Sequence, residues 1–332
     1  MATQFSVMTW NLENLFGLGT EFGPDTPDEF NQKIESLART ILELDPDVVA
    51  VQEVGGSEPF GALQAALGGR YPHNQLSVHP DTRGILVGFL SKLPFEDSED
   101  ILEFPEGALQ NVPGIDGRGD PIILTRLGRG ALRILVRPNA DLPVHLITAH
   151  LKSKLLTFPR PTGSPSFSPR DENERARVAG FALQRRMAEA IALRVRANRL
   201  LEGDDENALI LLGDMNDVTD AATTQILIGP PGSEPGTPGF DRPDRGDDAR
   251  LFNLAPLIPE EHRFSRVFRG RGELIDHLLV SHELLPGTPR RVPIVDSHID
   301  RVGGLPSIET NPNERRGRVE SDHAPVTATF EL

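Results

Sequence analysis

Residues 5–16 read FSVMTWNLENLF, an apolar run that ends abruptly in a polar segment containing Asn11 and Glu13. Its first six residues are rich in Val, Met and aromatic side chains, which is typical of a buried strand. Similar runs recur along the whole chain. Seven further stretches have this composition and lie near turn residues: 47–52, 85–91, 131–137, 144–149, 208–213, 274–281 and 324–332. The sequence therefore predicts a core built from many short strands.

Three stretches between these runs have helical periodicity. Residues 28–44 repeat apolar side chains every three or four positions, residues 59–69 end in glycine, and residues 174–200 are long and amphipathic. Because strands fall in both halves of the chain, we expect one domain over residues 1–332, of α/β (α+β) class with a two-sheet core. Polar, Pro- and Gly-rich insertions are expected as surface loops near 103–121, 157–173, 229–249 and 301–320.

Composition limits the function. The chain carries 34 basic and 49 acidic residues, a net charge of −15, so it is a poor non-specific binder of polyanions, although the acidity is equally explained by solubility. It has no cysteine, which excludes disulfides and thiolate metal sites. No apolar run is long enough to span a membrane. The N-terminus does not resemble a signal peptide, which favours a cytoplasmic location unless a leader has been removed. We expect a monomer.

Polar residues suited to metal binding or proton transfer follow several of the strand-like runs. They are Asn11, Glu13, Glu53, His150, Lys152, Asp214, Asn216, Asp276, Asp322 and His323. Each one alone is also explained as a turn residue, a solvated side chain or a structural histidine. Strand ends in a compact sheet fold can converge on one rim, however, so the set as a whole indicates a site. Hard oxygen donors and imidazoles without thiols suit Mg²⁺, Mn²⁺ or Ca²⁺ and the hydrolysis of phosphate esters.

Six motifs carry a family resemblance. In chain order they are MTWNLENLF (8–16), DVVAVQEV (47–54), ITAHLKSK (147–154), LLGDMNDV (211–218), LIDHLLVS (274–281) and SDHAPV (321–326). Together they resemble the endonuclease/exonuclease/phosphatase, or DNase I-like, superfamily, and most closely a bacterial nuclease-like branch. The resemblance implies a four-layer αββα sandwich of two mixed β-sheets flanked by helices. It also implies a metal-dependent phosphoric ester hydrolase.

The resemblance also implies roles for individual residues. The metal ligands would be Glu53, Asn11, Asp322 and, with a less general match, Glu13. The catalytic set would be His150, Asp214, Asn216, Asp276 and His323. In this set Asp214 would orient or deprotonate the attacking water, and Asp276 would hold the His323 ring against the scissile phosphate. The substrate phosphate would contact Asn11, Arg83, Lys152, Lys154 and Asn216.

Two features near His150 are specific to this chain. Half of its four lysines, Lys152 and Lys154, lie beside this histidine, either as a local landing site for phosphate or as a solvated strand-to-loop transition. Relatives that share the R-G-I segment at residues 83–85 commonly carry an acid where this chain has Leu86. That acid would pair with the histidine ring, so we expect His150 to lack this partner.

Three functions are compatible with these observations. The leading hypothesis is a divalent-metal-dependent phosphodiesterase, a nuclease that hydrolyses DNA or RNA by in-line attack of water. The alternative is a phosphomonoesterase or a phospholipid or inositol-phosphate head-group hydrolase on the same scaffold. The third is a non-catalytic binding module, which the presence of both Asp214 and His323 disfavours. The sequence does not distinguish endonuclease from exonuclease action.

Overall fold

The computed structural model describes residues 4–160, 165–202, 207–229, 235, 249–285, 293–302, 304–309, 311–315 and 318–332. The helices are α1 Pro27–Leu44, α2 Ser57–Ala66, α3 Glu172–Leu201 and α4 Ala222–Leu227. Short 3-10 turns occur at Ala255–Leu257, Glu260–His262, His282–Leu284 and Pro312–Arg315. The strands are β1 Gln4–Leu15, β2 Val48–Val54, β3 His73–Leu76, β4 Leu86–Ser91, β5 Asp97–Glu103, β6 Val112–Ile115, β7 Pro121–Leu124, β8 Arg126–Asn139, β9 Leu142–His150, β10 Ala208–Asp214, β11 Phe252–Asn253, β12 Arg266–Phe268, β13 Arg271–Glu273, β14 Asp276–Val280, β15 Ile294–Ser297, β16 Ser307–Ile308 and β17 Val326–Glu331.

Two six-stranded mixed sheets form the centre of the molecule. The first has the order β15-β17-β1-β2-β4-β3, and the second has the order β11-β14-β10-β9-β8-β5. In each sheet the two central strands run parallel, β1 beside β2 and β9 beside β10, while their outer neighbours run antiparallel. A three-stranded sheet, β13-β12-β16, and the β6-β7 hairpin are attached to this core.

Three apolar layers follow from the alternation of side chains along the central strands. In β10, Ile210 and Leu212 face the first sheet, whereas Leu209 and Leu211 pack with α3 on the opposite side. Trp10 of β1 packs likewise with α1 and α2 on the outer face of the first sheet. A period of two along a strand buried on both faces produces this division. The helices therefore flank two stacked sheets, which confirms the predicted four-layer αββα sandwich.

Helix α1 begins with a capping box. Thr26 Oγ1 accepts a hydrogen bond from the Glu29 backbone N–H, and Glu29 Oε2 accepts one from the Thr26 N–H. This reciprocal pair satisfies two backbone donors that the first helical turn leaves free. It fixes the start of a helix whose inner face covers β1 and carries one buried cation, Lys33.

All eight strand-like runs coincide with strands, and all three helical patterns coincide with helices. The expected loop at 103–121 differs, because it contains β6, whose hairpin with β7 packs against α3. The loop near 301–320 similarly contains β16 and a 3-10 turn. Most of the expected loop at 229–249 lies outside the described residues. No helix in the described ranges is both long enough and apolar enough to cross a membrane.

The pairing register brings one end of the central strands together. Asp214 at the end of β10 lies opposite His150 in β9 and opposite Asp276 at the start of β14. β17 runs antiparallel to β1, so the residues that precede β17 lie beside the end of β1. Gly213 permits the close approach of β10 to β9: its φ is 147°, and a Cβ there would lie 2.0 Å from the Ala149 carbonyl oxygen.

Candidate active site

Residues from both sheets are hydrogen-bonded to one another at this rim. Asn11 Nδ2 lies 3.0 Å from Asp214 Oδ2 and 3.4 Å from Glu53 Oε1, so one amide links the two sheets. Asp214 Oδ1 accepts the backbone N–H of Asn216 at 2.9 Å, and the Asn216 side chain donates to the Leu151 carbonyl. The structure therefore brings together residues that lie more than 200 positions apart in the sequence.

The backbone at the rim is locally strained. Glu13, Asn14, Glu53 and Asn216 have φ values between 46° and 62°, in the left-handed region that side chains other than glycine rarely adopt. The pairing of β1 with β2 and of β2 with β4 shifts register at these positions. Bulges of this kind turn side chains away from the regular alternation of a strand. Here they occur where β1 and β2 present their polar residues.

Asp276 and His323 form a buried pair beside Asp214. His323 Nδ1 lies 2.7 Å from Asp276 Oδ2, and the hydroxyl of Ser265 donates to the same oxygen at 2.6 Å. Burial lowers the pKa of His323, but the Asp276 carboxylate overcomes this effect and raises it to about 10. The imidazole is therefore protonated at neutral pH. Trp10 Nε1 donates to the His323 carbonyl at 2.8 Å and fixes the backbone of this residue.

Asp214 is the second titratable centre. Burial, followed by repulsion from Asp276, raises the pKa of the Asp214 carboxyl to about 6. Its Oδ2 lies 3.3 Å from His150 Nε2. Burial and the nearby Arg129 guanidinium hold the pKa of His150 well below its ordinary value, so this ring is neutral at pH 7. A carboxylate that is ionised just below neutral pH and is surrounded by donors is suited to orienting and deprotonating water.

His150 has an unusual environment. Its side chain is buried, and its Nδ1 has no hydrogen-bond partner among the residues that the structure describes. The position that would supply an acid is Leu86, at the start of β4. The ring is therefore held by packing and through Nε2 beside Asp214, and no described carboxylate binds its Nδ1.

Arg83 and Asn14 form the neighbouring wall of the site. Arg83 Nη2 donates to Asn14 Oδ1 at 2.6 Å, and its guanidinium lies 4.5 Å from the ring centroid of Phe22. Arg83 Nε is buried and has no partner among the described residues. The Asn14 backbone N–H donates to Glu53 Oε2 at 3.0 Å. Asn14 therefore links Arg83 to Glu53.

The ammonium groups of Lys152 and Lys154, the two lysines of the 147–154 motif, are bound by other groups of the protein. The Lys152 ammonium donates to the carbonyls of Ser153 and Leu155, at 2.9 and 3.1 Å. Burial, followed by repulsion from Arg129, lowers the pKa of Lys152 to about 8. Lys154 is partly exposed and pairs with Asp217 Oδ1 at 2.9 Å. We therefore leave Lys152 out of the phosphate contacts that we propose, because two of its three N–H donors are used within its own loop.

Glu13 and Asp322 lie side by side at the edge of the rim. Both Glu13 oxygens accept hydrogen bonds from Arg315 at 2.8 Å, and the Asp322 backbone N–H donates to Glu13 Oε2 at 2.9 Å. Burial, together with the Asp322 charge, raises the pKa of Glu13 to about 7 against the pull of Arg315. The expected ligand Glu13 is thus engaged by a protein cation. Asp322 Oδ1 lies 4.0 Å from His323 Nε2.

The donor set of the rim fits a divalent cation. Glu53, Asn11 and Asp322 offer carboxylate and amide oxygens, the ligands that Mg²⁺, Mn²⁺ and Ca²⁺ prefer. A second group, Asp214, Asp276 and His323, offers ligand atoms within 4.8 Å of one another. A protonated imidazole has no lone pair for a metal, however, so this second group as a whole does not suit a metal ion. Asp276 Oδ1 is buried and has no hydrogen-bond partner among the described residues, which leaves one further acceptor free.

Three contributors to the site were missed from the sequence. Ser265 holds Asp276, Arg315 holds Glu13, and Gln52 links the sheets beneath the rim through Thr9 and Thr148. Ser265 and Arg315 lie in polar stretches with no strand-end pattern. Gln52 lies in the quoted run 47–54, directly before Glu53, and its place within an apolar strand was the available signal.

Two stacked mixed sheets, with acids, amides and imidazoles gathered at one rim, define the class of DNase I-like phosphoric ester hydrolases. A model of the endonuclease/exonuclease/phosphatase family matches residues 8–323, and the chain belongs to this family. It is therefore an enzyme of the metal-dependent phosphoesterase class. Among curated protein sequences, none matches the chain significantly.

Solved structures share the fold at low sequence identity. A truncated TDP2 from Caenorhabditis elegans is 15% identical, with a TM-score of 0.57 over 99% of this chain and 98% of that chain. TDP2 from D. rerio, complexed with a single-strand DNA product, is 16% identical with a TM-score of 0.54, over 99% of this chain and 100% of that chain. The human Nocturnin catalytic domain with a bound sulfate anion is 13% identical with a TM-score of 0.55, over 100% and 95%.

Proposed function

We propose that this protein is a divalent-metal-dependent nuclease that hydrolyses phosphodiester bonds of DNA or RNA. The observation that carries the proposal is the arrangement of Asp214 between the buried Asp276–His323 pair and the Asn11–Glu53 pair. An ionised base, a protonated imidazole and a set of oxygen ligands thus lie around one position. In-line hydrolysis of a phosphodiester needs these three elements.

Each side chain has a distinct task in the proposed reaction. Asp214 orients a water molecule and accepts its proton as the oxygen attacks phosphorus. The protonated His323 stabilises the negative charge that develops on the phosphoryl oxygens, and Asp276 holds its ring. Asn11 and Asn216 orient the phosphate, and Arg83 supplies a fixed positive charge. The bond from phosphorus to the leaving oxygen, such as a 3′-oxygen, then breaks, and that oxygen leaves as an alcohol after taking a proton from the His323 imidazolium or from water.

A divalent cation would be held by Glu53 with Asn11 and Asp322. When bound, it neutralises the non-bridging phosphate oxygens and reverses the local sign of an acidic surface. Mg²⁺, Mn²⁺ and Ca²⁺ all suit this set of oxygen donors.

The cations near the site favour a diester over a polyphosphorylated head group. Lys152 and Lys154 are engaged by loop carbonyls and by Asp217, respectively, so Arg83 is the cation best placed to contact substrate beside Glu53. Substrates with several phosphate groups require several free cations around the site. The DNA product that accompanies TDP2 from D. rerio supports a nucleic acid as the substrate class.

A substrate panel tests the proposal. Supercoiled plasmid, single-stranded DNA, RNA, inositol phosphates and a simple phosphodiester are each incubated with Mg²⁺, Mn²⁺ or Ca²⁺. We expect cleavage of nucleic acid that is lost in chelator and in Asp214→Ala and His323→Ala. Release of phosphate from inositol phosphates, with the nucleic acids intact, would instead establish the head-group hydrolase.

Matched controls separate chemistry from folding. Asp141 lies in the turn between β8 and β9, at the opposite end of β9 from His150, and His282 is exposed beyond the far end of β14. Asp141→Ala and His282→Ala remove the same side-chain types without touching the rim. We expect both controls to retain full activity. Equal losses in the controls and the site variants would remove the support for the proposed roles.

A further inference from the structure

Arg315 binds Glu13, the acid at the edge of the rim, through two short hydrogen bonds. Its Nε and Nη2 donate to the two oxygens of Glu13, each at 2.8 Å, and Nη2 also donates to the Glu320 carbonyl at 2.9 Å. The Asp322 backbone N–H adds a third donor to Glu13 Oε2. A bidentate guanidinium–carboxylate pair is among the strongest polar contacts in proteins. The Glu13 carboxylate is therefore occupied by the chain itself.

Lys33 is a second cation in the same place. It lies on the inner face of α1 with 5% of its surface exposed, and its ammonium makes one long contact, 3.4 Å to the Arg318 carbonyl. Among the described residues, no carboxylate oxygen lies within 4.0 Å of it. The carboxylates that act on its charge are Glu13, Asp322 and Glu53. An ammonium on a buried helix face is costly unless nearby negative charge offsets the loss of water.

The two cations and the acid Glu13 share one crevice. Glu13, Asn14, Lys33 and Arg315 all line it, and Asn14 is bonded through its backbone to Glu53. Glu29 and Arg318 also line the crevice, so three basic side chains, Lys33, Arg315 and Arg318, face two acidic ones, Glu13 and Glu29. The lining of the crevice therefore carries an excess of positive formal charge without any metal ion. A second divalent cation would place strong uncompensated positive charge in a buried site.

We propose that Arg315 and Lys33 are a built-in counter-charge that takes the place of a second divalent cation, so that the chain holds one such ion, at Glu53. This inference rests on the assignment of Glu53 under the proposed function. Under this inference Glu13 is the ion-pair partner of Arg315 and is not a metal ligand. Arg315 also ties the segment 312–315 to the end of β1, which keeps Asp322 beside Glu13.

The experiment counts metal ions rather than turnover. Binding of Mn²⁺ to the full chain is titrated by electron paramagnetic resonance of free Mn²⁺ and by calorimetry. We expect one Mn²⁺ per chain in the wild type and in Glu13→Gln. Arg315→Met, alone or together with Lys33→Met, frees the Glu13 carboxylate, and we expect both variants to bind a second Mn²⁺. Arg315→Lys keeps the positive charge at this position, and we expect this variant to bind one Mn²⁺ per chain.

Arg318→Met is the matched control, because Arg318 lines the same crevice but contacts Lys33 through its backbone carbonyl. We expect Arg318→Met to bind one Mn²⁺ per chain, like the wild type. Circular dichroism and thermal melting confirm that each variant is folded. Two Mn²⁺ ions in the wild type, or loss of the single site in Glu13→Gln, would overturn the inference. Either result would leave the nuclease proposal standing, since that proposal is decided by the substrate panel.

Discussion

The Nδ1 atom of His323 lies 2.7 Å from Oδ2 of Asp276, and both side chains are almost completely buried. Asp276 begins β14 of the second sheet, whereas His323 lies three residues before β17 of the first sheet. The carboxylate keeps the imidazole charged in surroundings that would otherwise neutralise it. It also fixes the orientation of the ring, so that Nε2 faces Asp322 and the rim. This pair is therefore the electrostatic centre of the site.

Replacement of Asp276 by Asn keeps the shape of this pair and removes its charge. We expect kcat/KM to fall by about 10²- to 10⁴-fold, because the His323 imidazole then loses both its partner charge and its fixed tautomer. The measurement is steady-state hydrolysis of the best substrate from the panel, at several pH values. A variant with unchanged kcat/KM at pH 7 would show that His323 works without Asp276.

Ser265 holds Asp276 in turn. Its Oγ donates to Asp276 Oδ2 at 2.6 Å and accepts the backbone N–H groups of Ile275 and Asp276 at 3.2 Å. Ser265→Ala leaves a buried carboxylate short of one donor, which costs about 1–3 kcal/mol of the free energy of unfolding. We expect lower activity, together with a shifted proton resonance of the His323 ring. Ser265→Thr retains the hydroxyl and should restore both, whereas equal behaviour of the two variants would argue against this role.

The two shifted pKa values predict a bell-shaped pH profile for kcat/KM. Asp214 acts as a base when ionised, so activity should rise as pH increases through about 6. His323 acts when protonated, so activity should fall as pH approaches about 10. In Asp276→Asn the upper limb should move toward neutral pH, because the charge that raises the pKa of His323 has gone. An upper limb that stays in place would assign it to another group.

The pattern of strand-like runs made the fold predictable. Neighbouring parallel strands end at the same edge of a sheet, so the polar residues that follow them lie close together. Asn11 and Glu53 follow adjacent runs, and their parallel strands place them at one edge. Asp214 and His150 follow the same logic in the second sheet. The positions of these strand ends depend on local sequence, and in the structure the strands end where the sequence predicts.

The counter-ions of the site could not be predicted in the same way. Lys152 and Lys154 lie beside His150 in the sequence, but their ammonium groups are bound by loop carbonyls and by Asp217. Arg315, from a segment without a strand pattern, reaches Glu13 at the other end of the chain. Side-chain pairing over such separations depends on how loops pack, and that packing leaves no periodic trace in the sequence.

Gln52 provides the last prediction, because it connects the two sheets directly beneath the rim. Its Nε2 donates to Thr148 Oγ1 at 3.0 Å and lies 3.2 Å from Thr9 Oγ1, and all three side chains are fully buried. Thr9 lies two residues before Asn11 in β1, Gln52 directly precedes Glu53, and Thr148 lies two residues before His150. This link therefore sets the separation of site residues that belong to different sheets.

Replacement of Gln52 by Leu leaves two buried hydroxyls without this partner, so we expect a loss of about 1–3 kcal/mol in the free energy of unfolding. We also expect weaker Mn²⁺ binding, because Glu53 is displaced relative to Asn11 and Asp214. Thr40→Val is the matched control: it removes a buried hydroxyl from α1, where that group bonds the Ser36 carbonyl. If Gln52→Leu and Thr40→Val lose stability but bind Mn²⁺ equally well, then Gln52 stabilises the fold without positioning the site.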